Sequence, residues 1–503
     1  MADLDGLALM ARRQAGLPAM LAAADGAATA IAGLEQRLDF TTLARLLRQV
    51  AWRVGASVPP GGVVATALPH TPNGIAAVLG CVHSGRTCIL LNPLDPPARN
   101  MAILEDAAPA LLVGTAEGWQ DARLTLEDAL AGDPPPPGWT LPQLAADFPA
   151  AVHFTSGSTG RPKGIAFAIE GVLARCDDGT AMGPQDRVLA TGLHNTSAGL
   201  CHVMKPLLNG ARVLAATLSR DGAGAVLRLA QREGATVLSA GPAVMRMLSR
   251  LPAAAEAFAT LRLVRVGGAP LPWEDFLAWR RVLPPGCAVQ HRYASTEAGF
   301  VAQWLAGPDR LGEARDLPIG HWAGPHMRAL LDADGREAPE GELVLRGPAM
   351  ALGEWLDGRL VTGRMLPDPA HPGWRVFRTG DLFGRDQHGL LRFLGRADRQ
   401  LKINEVRIEP AEIEAVLRRQ PGVTEAAVVV RQRPQGVLLH GFVAAPDADA
   451  DTLVPQLAAA LRRDLPPAMR PSRLSVLPAL ALASGGKLDM RALALLSEQA
   501  DET

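Results

Sequence analysis

Eleven residues, Phe154-Thr-Ser-Gly-Ser-Thr-Gly-Arg-Pro-Lys-Gly164, gather two hydroxyl pairs, three glycines and the Lys163 cation into one short stretch. The hydroxyls of Thr155, Ser156, Ser158 and Thr159, the ammonium of Lys163 and the free backbone N–H groups are all donors to anionic oxygens. Gly157, Gly160 and Gly164 permit the close backbone approach that wrapping a polyphosphate demands. The stretch reads as a phosphate-holding loop. It is not a Walker loop, because that pattern needs Gly-Lys-Ser/Thr in succession and here Pro162 precedes Lys163 and Gly164 follows it. A flexible Ser/Gly linker is disfavoured by Pro162-Lys163 and by the apolar residues on both sides.

Something must hold such a loop, and Ala151-Val-His-Phe154 reads as a strand running into it. Apolar strand-like runs alternate with helix-like runs through most of the first 300 residues. Residues 62–68, 74–83 and 87–91 are one such strand, helix and strand, so βα units on a mainly parallel sheet are expected. Residues 261–266 form another strand, ending on Gly267-Gly268-Ala269-Pro270, and ligands in open α/β sheets collect at such carboxyl ends. After Gly335 the pattern changes to short strands and turns, of which 341–347 is the clearest. Beyond Gly395 an α+β unit follows, with a helix starting at Pro410, a strand over 424–431, a helix over 453–465 and a short helix over 489–496. The expected fold is α/β: a large N-terminal domain (1–397) of parallel-rich βα sheets with a β-rich subdomain at about 335–395, then a small mobile α+β domain (398–503).

The 503 residues carry 50 basic and 51 acidic side chains, and no Lys/Arg run has the density of a nucleic-acid or membrane patch. The five cysteines are widely spaced with no Cys-x-x-Cys pair, which suggests neither a disulfide framework nor a zinc site. Asp3 and Asp5 stand where a signal peptide would be positive, and no apolar run approaches the roughly 18 residues of a spanning helix. A cytoplasmic protein is expected.

Further motifs follow the loop in fixed order: Tyr293-Ala-Ser-Thr-Glu297, Arg378-Thr-Gly-Asp-Leu382, Gly395-Arg-Ala-Asp-Arg-Gln-Leu-Lys402, Arg407-Ile-Glu-Pro410 and Gly485-Gly-Lys-Leu-Asp489. Together they resemble the adenylate-forming superfamily of acyl-CoA synthetases, nonribosomal peptide synthetase adenylation domains and luciferases, over nearly the whole chain. The resemblance implies that a carboxylate attacks the α-phosphate of ATP, giving an acyl-adenylate and pyrophosphate, and that a thiol then takes the acyl group. It implies that residues 155–163 hold the β- and γ-phosphates, that Glu297 carries Mg²⁺, and that Thr296 donates to the α-phosphate. Asp381 would bind the ribose hydroxyls with help from Arg396. Tyr293 would stack on adenine, with Gly268 and Ala269 as the opposite wall. His291 stands where an Asn often reads the adenine amino group, and Ala294 where Gly is usual. Lys487 matches the catalytic lysine and Asp398 the hinge between the two half-reactions, which would bring the face near Lys402 and Arg407 to the thiol. Asn404-Glu405 replaces the common Arg-Gly or Ser-Gly there, crowding the expected thiol tunnel.

The acyl pocket of that family corresponds to Thr191-Gly-Leu-His-Asn-Thr-Ser-Ala-Gly199, with Gly267 and Ser295 beside it. Relatives that activate amino acids place an Asp in this segment to pair with the α-ammonium, and none is present among His194, Asn195, Ser197, Ala198 and Gly199. A buried ammonium without a partner costs several kcal/mol, so an aryl or other small acid without an α-amino group is expected. His194-Asn195 looks like the aryl-acid branch, although Leu200 replaces its usual Ser. Asn92-Pro-Leu-Asp-Pro96 and the ending Lys487-Leu-Asp489 are similar to the peptide-synthetase branch. These imply loading of a phosphopantetheinylated carrier protein, with free CoA as the second acceptor. A non-thiol acceptor and a non-catalytic ATP-binding module are the remaining alternatives.

Overall fold

The apolar runs of the first half form two sheets in the computed structural model of the protein, which describes residues 16–19, 21–22, 24–95, 97–156, 162–306, 317–396, 401–403, 406–408, 410–433, 436–465, 470–483 and 487–500. One sheet has eight strands in the order Arg359–Val361, Gly353–Leu356, Pro162–Phe167, Ala151–Ser156, Thr87–Leu91, Val63–Ala67, Leu111–Gly114, Arg123–Leu124. From Ala151–Ser156 onward its strands are parallel, and the remaining edge is antiparallel. Every residue of Thr87–Leu91 is buried, as expected of a parallel strand covered on both faces. Ala65, Ile89, Leu112 and Val152 meet Ile103, Leu104 and Trp355 in one core.

The other sheet has nine strands in the order His321–Trp322, Gly299–Ala306, Ala288–Ser295, Leu263–Gly267, Val237–Ala240, Arg187–Ala190, Arg212–Ala215, Thr29–Ala32, Arg37–Asp39. Its middle six strands are parallel, so their carboxyl ends lie along one edge. One face buries Leu189, Leu238, Val264, Val266 and Val289 beneath the helices Leu218–Glu233, Pro242–Ser249 and Trp273–Arg280.

Helix starts are set by side chains. The Thr71 hydroxyl accepts from Gly74 N at 3.2 Å, with Pro72 opening the helix Pro72–Val82. A Cβ on Gly74 would stand 2.0 Å from the Pro69 carbonyl oxygen, so no other residue fits there.

Two compact units divide the chain: Met1–Ala329, Val344–Thr379 and Gln387–Leu391 in the first, and Leu330–Leu343, Gly380–Asp386 and Arg392–Thr503 in the second. The run 335–395, expected as one β-rich subdomain, is thus shared between them. The expected hinge Asp398 lies outside the described residues. In the second unit Glu425–Arg433 pairs antiparallel with Gly436–Ala444, which pairs parallel with Arg473–Leu477. Strand alternation sends Ala426 and Val428 to a core with Ile413, Leu417, Leu457 and Leu461, while Ala427 and Val429 meet Leu480 and Leu493 on the opposite face. The helices Pro410–Arg418, Ala450–Asp464 and Met490–Gln499 supply those partners. Among the described residues no helix is long and apolar enough to cross a membrane.

Candidate active site

The loop at residue 160 joins a hairpin. Ala151–Ser156 and Pro162–Phe167 pair antiparallel, with Thr155 opposite Lys163. The sequence showed the first strand and missed the second, because Pro162, Gly164 and a lysine dilute its pattern. Gly157, Ser158, Thr159 and Gly160 lie outside the described residues, as do the side chains of Thr155 and Ser156. Lys163 is described: its Nζ lies 2.5 Å from Glu354 Oε1 on the neighbouring strand, and that oxygen also accepts from Arg364 N at 2.8 Å.

The strand into this loop is tied to the acyl segment. His153 Nδ1 lies 2.9 Å from the Asn195 carbonyl oxygen, so the imidazole donates there and fixes its tautomer. Burial, foremost, pushes the His153 pKa down to about 4, against the effect of that hydrogen bond. His194 is 3 % exposed, stacked on His70 with ring centroids 5.1 Å apart and Nδ1 atoms 2.9 Å apart. Burial lowers His194 to about 4 as well. Both rings are neutral near pH 7, so one donates and the other accepts. Thr196 caps the helix Ser197–Leu208 by accepting from Gly199 N at 3.0 Å, and a Cβ on Gly199 would fall 1.9 Å from the Leu193 carbonyl oxygen. Gly199 is therefore required by the turn that presents His194 and Asn195. Ala198, on the same first turn, is exposed.

Gly267, at the end of its strand, sits opposite Arg292 on the next one. Gly268 has φ +87°, a backbone that favours glycine, and turns the chain into Ala269. Tyr293 lies at a register irregularity just before Ala294, where the strand leaves regular pairing. His291 is 1 % exposed and faces Trp304 across the sheet. Its Nδ1 lies 3.0 Å from the Pro318 carbonyl oxygen, to which it donates. Ser295 Oγ accepts from Ala298 N at 3.0 Å, shaping the turn that carries Thr296 and Glu297.

One residue that sequence reasoning missed joins these parts. Arg175, 7 % exposed, donates from Nη1 to Ser197 Oγ at 2.9 Å and from Nη2 to the Glu297 carbonyl oxygen at 2.6 Å. That carbonyl also accepts from Ala351 N at 2.8 Å. The guanidinium rests on the Phe167 ring, 4.1 Å from its centroid. Burial brings its pKa down to about 10, and it stays charged. Arg175 thus holds the acyl segment and the Glu297 turn at fixed spacing. Among the described residues no three His, Cys, Asp or Glu side chains group to hold a metal ion. A single carboxylate at Glu297 fits Mg²⁺, which is commonly held by one or two carboxylates together with substrate phosphates.

The second unit carries the other expected residues. Asp381 is 6 % exposed on the strand Arg375–Arg385, beside Gly380, whose N–H donates to Glu342 Oε1 at 3.0 Å. Lys402 and Arg407 are directly opposite on the hairpin Leu401–Ile403/Val406–Ile408. Asn404, Glu405 and the side chain of Arg396 lie outside the described residues. Lys487 is exposed, and its carbonyl accepts from Ala483 N at 2.7 Å. Asp489 caps the final helix.

A model of the AMP-binding enzyme family matches residues 19–355, and one of the AMP-binding enzyme C-terminal domain matches 412–487. The chain is 31 % identical over 486 residues to a dimodular nonribosomal peptide synthase of Bacillus subtilis (strain 168), covering 90 % of this chain and 19 % of that protein. It is 33 % identical over 505 residues to an isonitrile lipopeptide synthase of Streptomyces coeruleorubidus, covering 96 % of this chain and 33 % of that protein. It spans, then, a third or less of the length of these two relatives. The anthranilate CoA ligase AuaEII in complex with anthranoyl-AMP shares the fold, with TM-score 0.81 and 20 % identity over 97 % of this chain and 98 % of that one. The chain belongs to the AMP-binding enzyme family, within the adenylate-forming superfamily of AMP-forming ligases.

Proposed function

We propose that this chain activates an aryl or other small carboxylic acid lacking an α-amino group with ATP, and then passes the acyl group to the phosphopantetheine thiol of a carrier protein. In the first step a carboxylate oxygen attacks the α-phosphorus, the bond to the bridging oxygen breaks, and pyrophosphate leaves with its electron pair. In the second step the thiolate attacks the acyl carbon and AMP leaves. Charge gathers on phosphoryl oxygens during the first step, so fixed donors and cations supply most of the rate. The hydroxyls and N–H groups near residue 160, Lys163, Thr296 and the Lys487 ammonium are suited to that. Mg²⁺, held through Glu297 and the phosphates, supplies neutralising charge when bound. Asp381, with Tyr293, Gly268 and Ala269, would take the nucleoside.

The observation that carries this reading is the Arg175 bridge, which ties Ser197 of the acyl segment to the Glu297 turn. It gives the acid and the metal-bearing carboxylate a common, rigid frame. A cation at that place also disfavours a substrate ammonium, in keeping with the missing Asp. The peptide-synthase relatives support a carrier thiol over free CoA. Acid-dependent exchange of labelled pyrophosphate into ATP is expected with at least one aryl or small acid. Adding a phosphopantetheinylated carrier should then give a thioester faster than CoA does. A protein that binds ATP yet exchanges with no acid would contradict the reading.

A further inference from the structure

The cysteines, widely spaced in the chain, are free thiols, and four of them meet in pairs. Cys176 closes the helix Ile169–Cys176, and Cys201 lies on the helix Ser197–Leu208 that packs against it. The Cys176 thiol donates to the Val172 carbonyl oxygen at 3.4 Å, and Cys201 Sγ lies 3.9 Å from the same oxygen. Cys176 Sγ is also 4.0 Å from the Cys201 carbonyl oxygen. The two side chains hydrogen-bond each other. Cys81 and Cys88 do the same where the helix Pro72–Val82 meets the strand Thr87–Leu91.

Their surroundings separate the two pairs. Cys81 and Cys88 are both fully buried, and the bond to Cys88, followed by burial, pushes the Cys81 thiol well up. Cys201 is partly exposed, and Cys176 is 6 % exposed. The hydrogen bond from Cys176 lowers the Cys201 pKa, and the Arg175 and Arg292 guanidiniums lower it further, against burial and the Asp178 carboxylate. Asp178 is itself paired with Arg265, Arg292 and Lys205. The same thiol–thiol bond raises Cys176. Cys201 is therefore the member that ionises first, and a partly exposed thiolate beside cations is the reactive kind. Cys176 stands where a resolving thiol must stand.

We propose that Cys176 and Cys201 are a reversible dithiol–disulfide switch, closed by hydrogen peroxide, that acts on the acyl segment. The Cys201 thiolate attacks one peroxide oxygen: an S–O bond forms, the O–O bond breaks, and the leaving hydroxide takes a proton to become water. The Cys176 sulfur then attacks the Cys201 sulfur, the S–O bond breaks, and the hydroxide leaves with the Cys176 proton as a second water. Two thiols lose two electrons, and the peroxide gains them. The disulfide cross-links the two helices that Arg175 and Ser197 already join. Arg175 directly precedes Cys176, and Ser197 stands one helical turn before Cys201. A covalent link there resets the spacing of that bridge and weakens acid binding. The effect on acid binding rests on the adenylation reading, and the thiol chemistry does not.

Intact mass, thiol counts and a peptide map of the full chain treated with hydrogen peroxide test it. Two thiols should vanish with a mass loss of about 2 Da, a linked Cys176–Cys201 peptide should appear, and dithiothreitol should restore both thiols. Cys176→Ser should leave Cys201 as a sulfenic acid that dimedone traps, and Cys201→Ser should keep Cys176 reduced at the same dose. In pyrophosphate exchange the oxidised protein should show a KM for the acid raised about fivefold or more, reversed by dithiothreitol. Oxidation of Cys81 and Cys88 ahead of this pair, or Cys201 carried to the sulfinic acid with Cys176 still a thiol, overturns the inference. So does an acid KM that ignores a fully formed link. A linked protein that exchanges with no acid, oxidised or reduced, upholds the disulfide and overturns the adenylation reading, with the effect that rests on it. The peptide map of the unmodified protein decides the thiol chemistry even where a variant does not fold.

Discussion

Lys163 and Glu354 form an ion pair at the phosphate site proposed above. Both side chains are part-exposed, at 29 % and 19 %, so the pair is worth only about 1 kcal/mol or less, and incoming phosphates can displace it. Glu354→Gln should therefore lower the KM for ATP by roughly two- to fivefold in exchange assays, because the ammonium no longer leaves a carboxylate to meet the nucleotide. A rise in KM would mean that Glu354 aims the lysine. Lys487 acts differently if its ammonium joins the carboxylate to the α-phosphate. Lys487→Ala should cut the exchange rate by about 10²- to 10³-fold while the ATP dissociation constant, measured by calorimetry, changes little. Equal losses in binding and rate would remove its catalytic role.

At the scale of the element, the glycines that position the site are fixed by backbone contacts. Gly199→Ala would drive a methyl to within 1.9 Å of the Leu193 carbonyl oxygen, so the turn bearing His194 and Asn195 must move or the helix must start elsewhere. The expected cost is about 2 kcal/mol or more, read as a lower denaturant midpoint, together with a raised KM for the acid and an unchanged KM for ATP. An unaltered acid KM would separate this turn from substrate binding.

The same scale shows what the sequence made legible. Thr87–Leu91 and Gly341–Gly347 have the expected bounds, because continuous apolar or β-branched runs between glycines and turns leave little choice. Gly199 was expected in the acyl segment, but its steric requirement was not legible, since nothing in the chain order brings Leu193 against it. The link that Arg175 makes between Ser197 and the Glu297 turn was not legible. Within Leu173-Ala-Arg-Cys176 a charge reads as a solvated helix face, and only tertiary packing buries it against Ser197 and Glu297. Arg265 did carry a signal: a charge inside the apolar strand Leu263–Gly267, in a sheet covered on both sides, must have a buried partner.

For the whole molecule, buried neutral histidines make stability depend on pH. His153 and His194 are held at about 4 in the folded chain, against about 6.5 when unfolded. Between those values the unfolded chain binds protons that the folded chain refuses, so their contribution is complete above about pH 6.5 and is lost as pH falls towards 4. The loss is on the order of a few kcal/mol for the pair. Urea midpoints measured from pH 7.5 to 4.5 should fall, and His194→Gln should flatten that fall even if it lowers the midpoint at pH 7.5. A variant with the full slope would place the acid sensitivity in other groups. The two compact units each have their own core.

The claim beneath all of this is that a substrate carboxylate attacks the α-phosphorus of ATP. Incubating the protein with ATP, Mg²⁺, a thiol acceptor and an acid labelled with ¹⁸O in its carboxylate follows that oxygen directly. The account predicts one ¹⁸O in the released AMP for each acyl group transferred, and none in pyrophosphate. Label appearing in inorganic phosphate, with ADP as the other product, would contradict it.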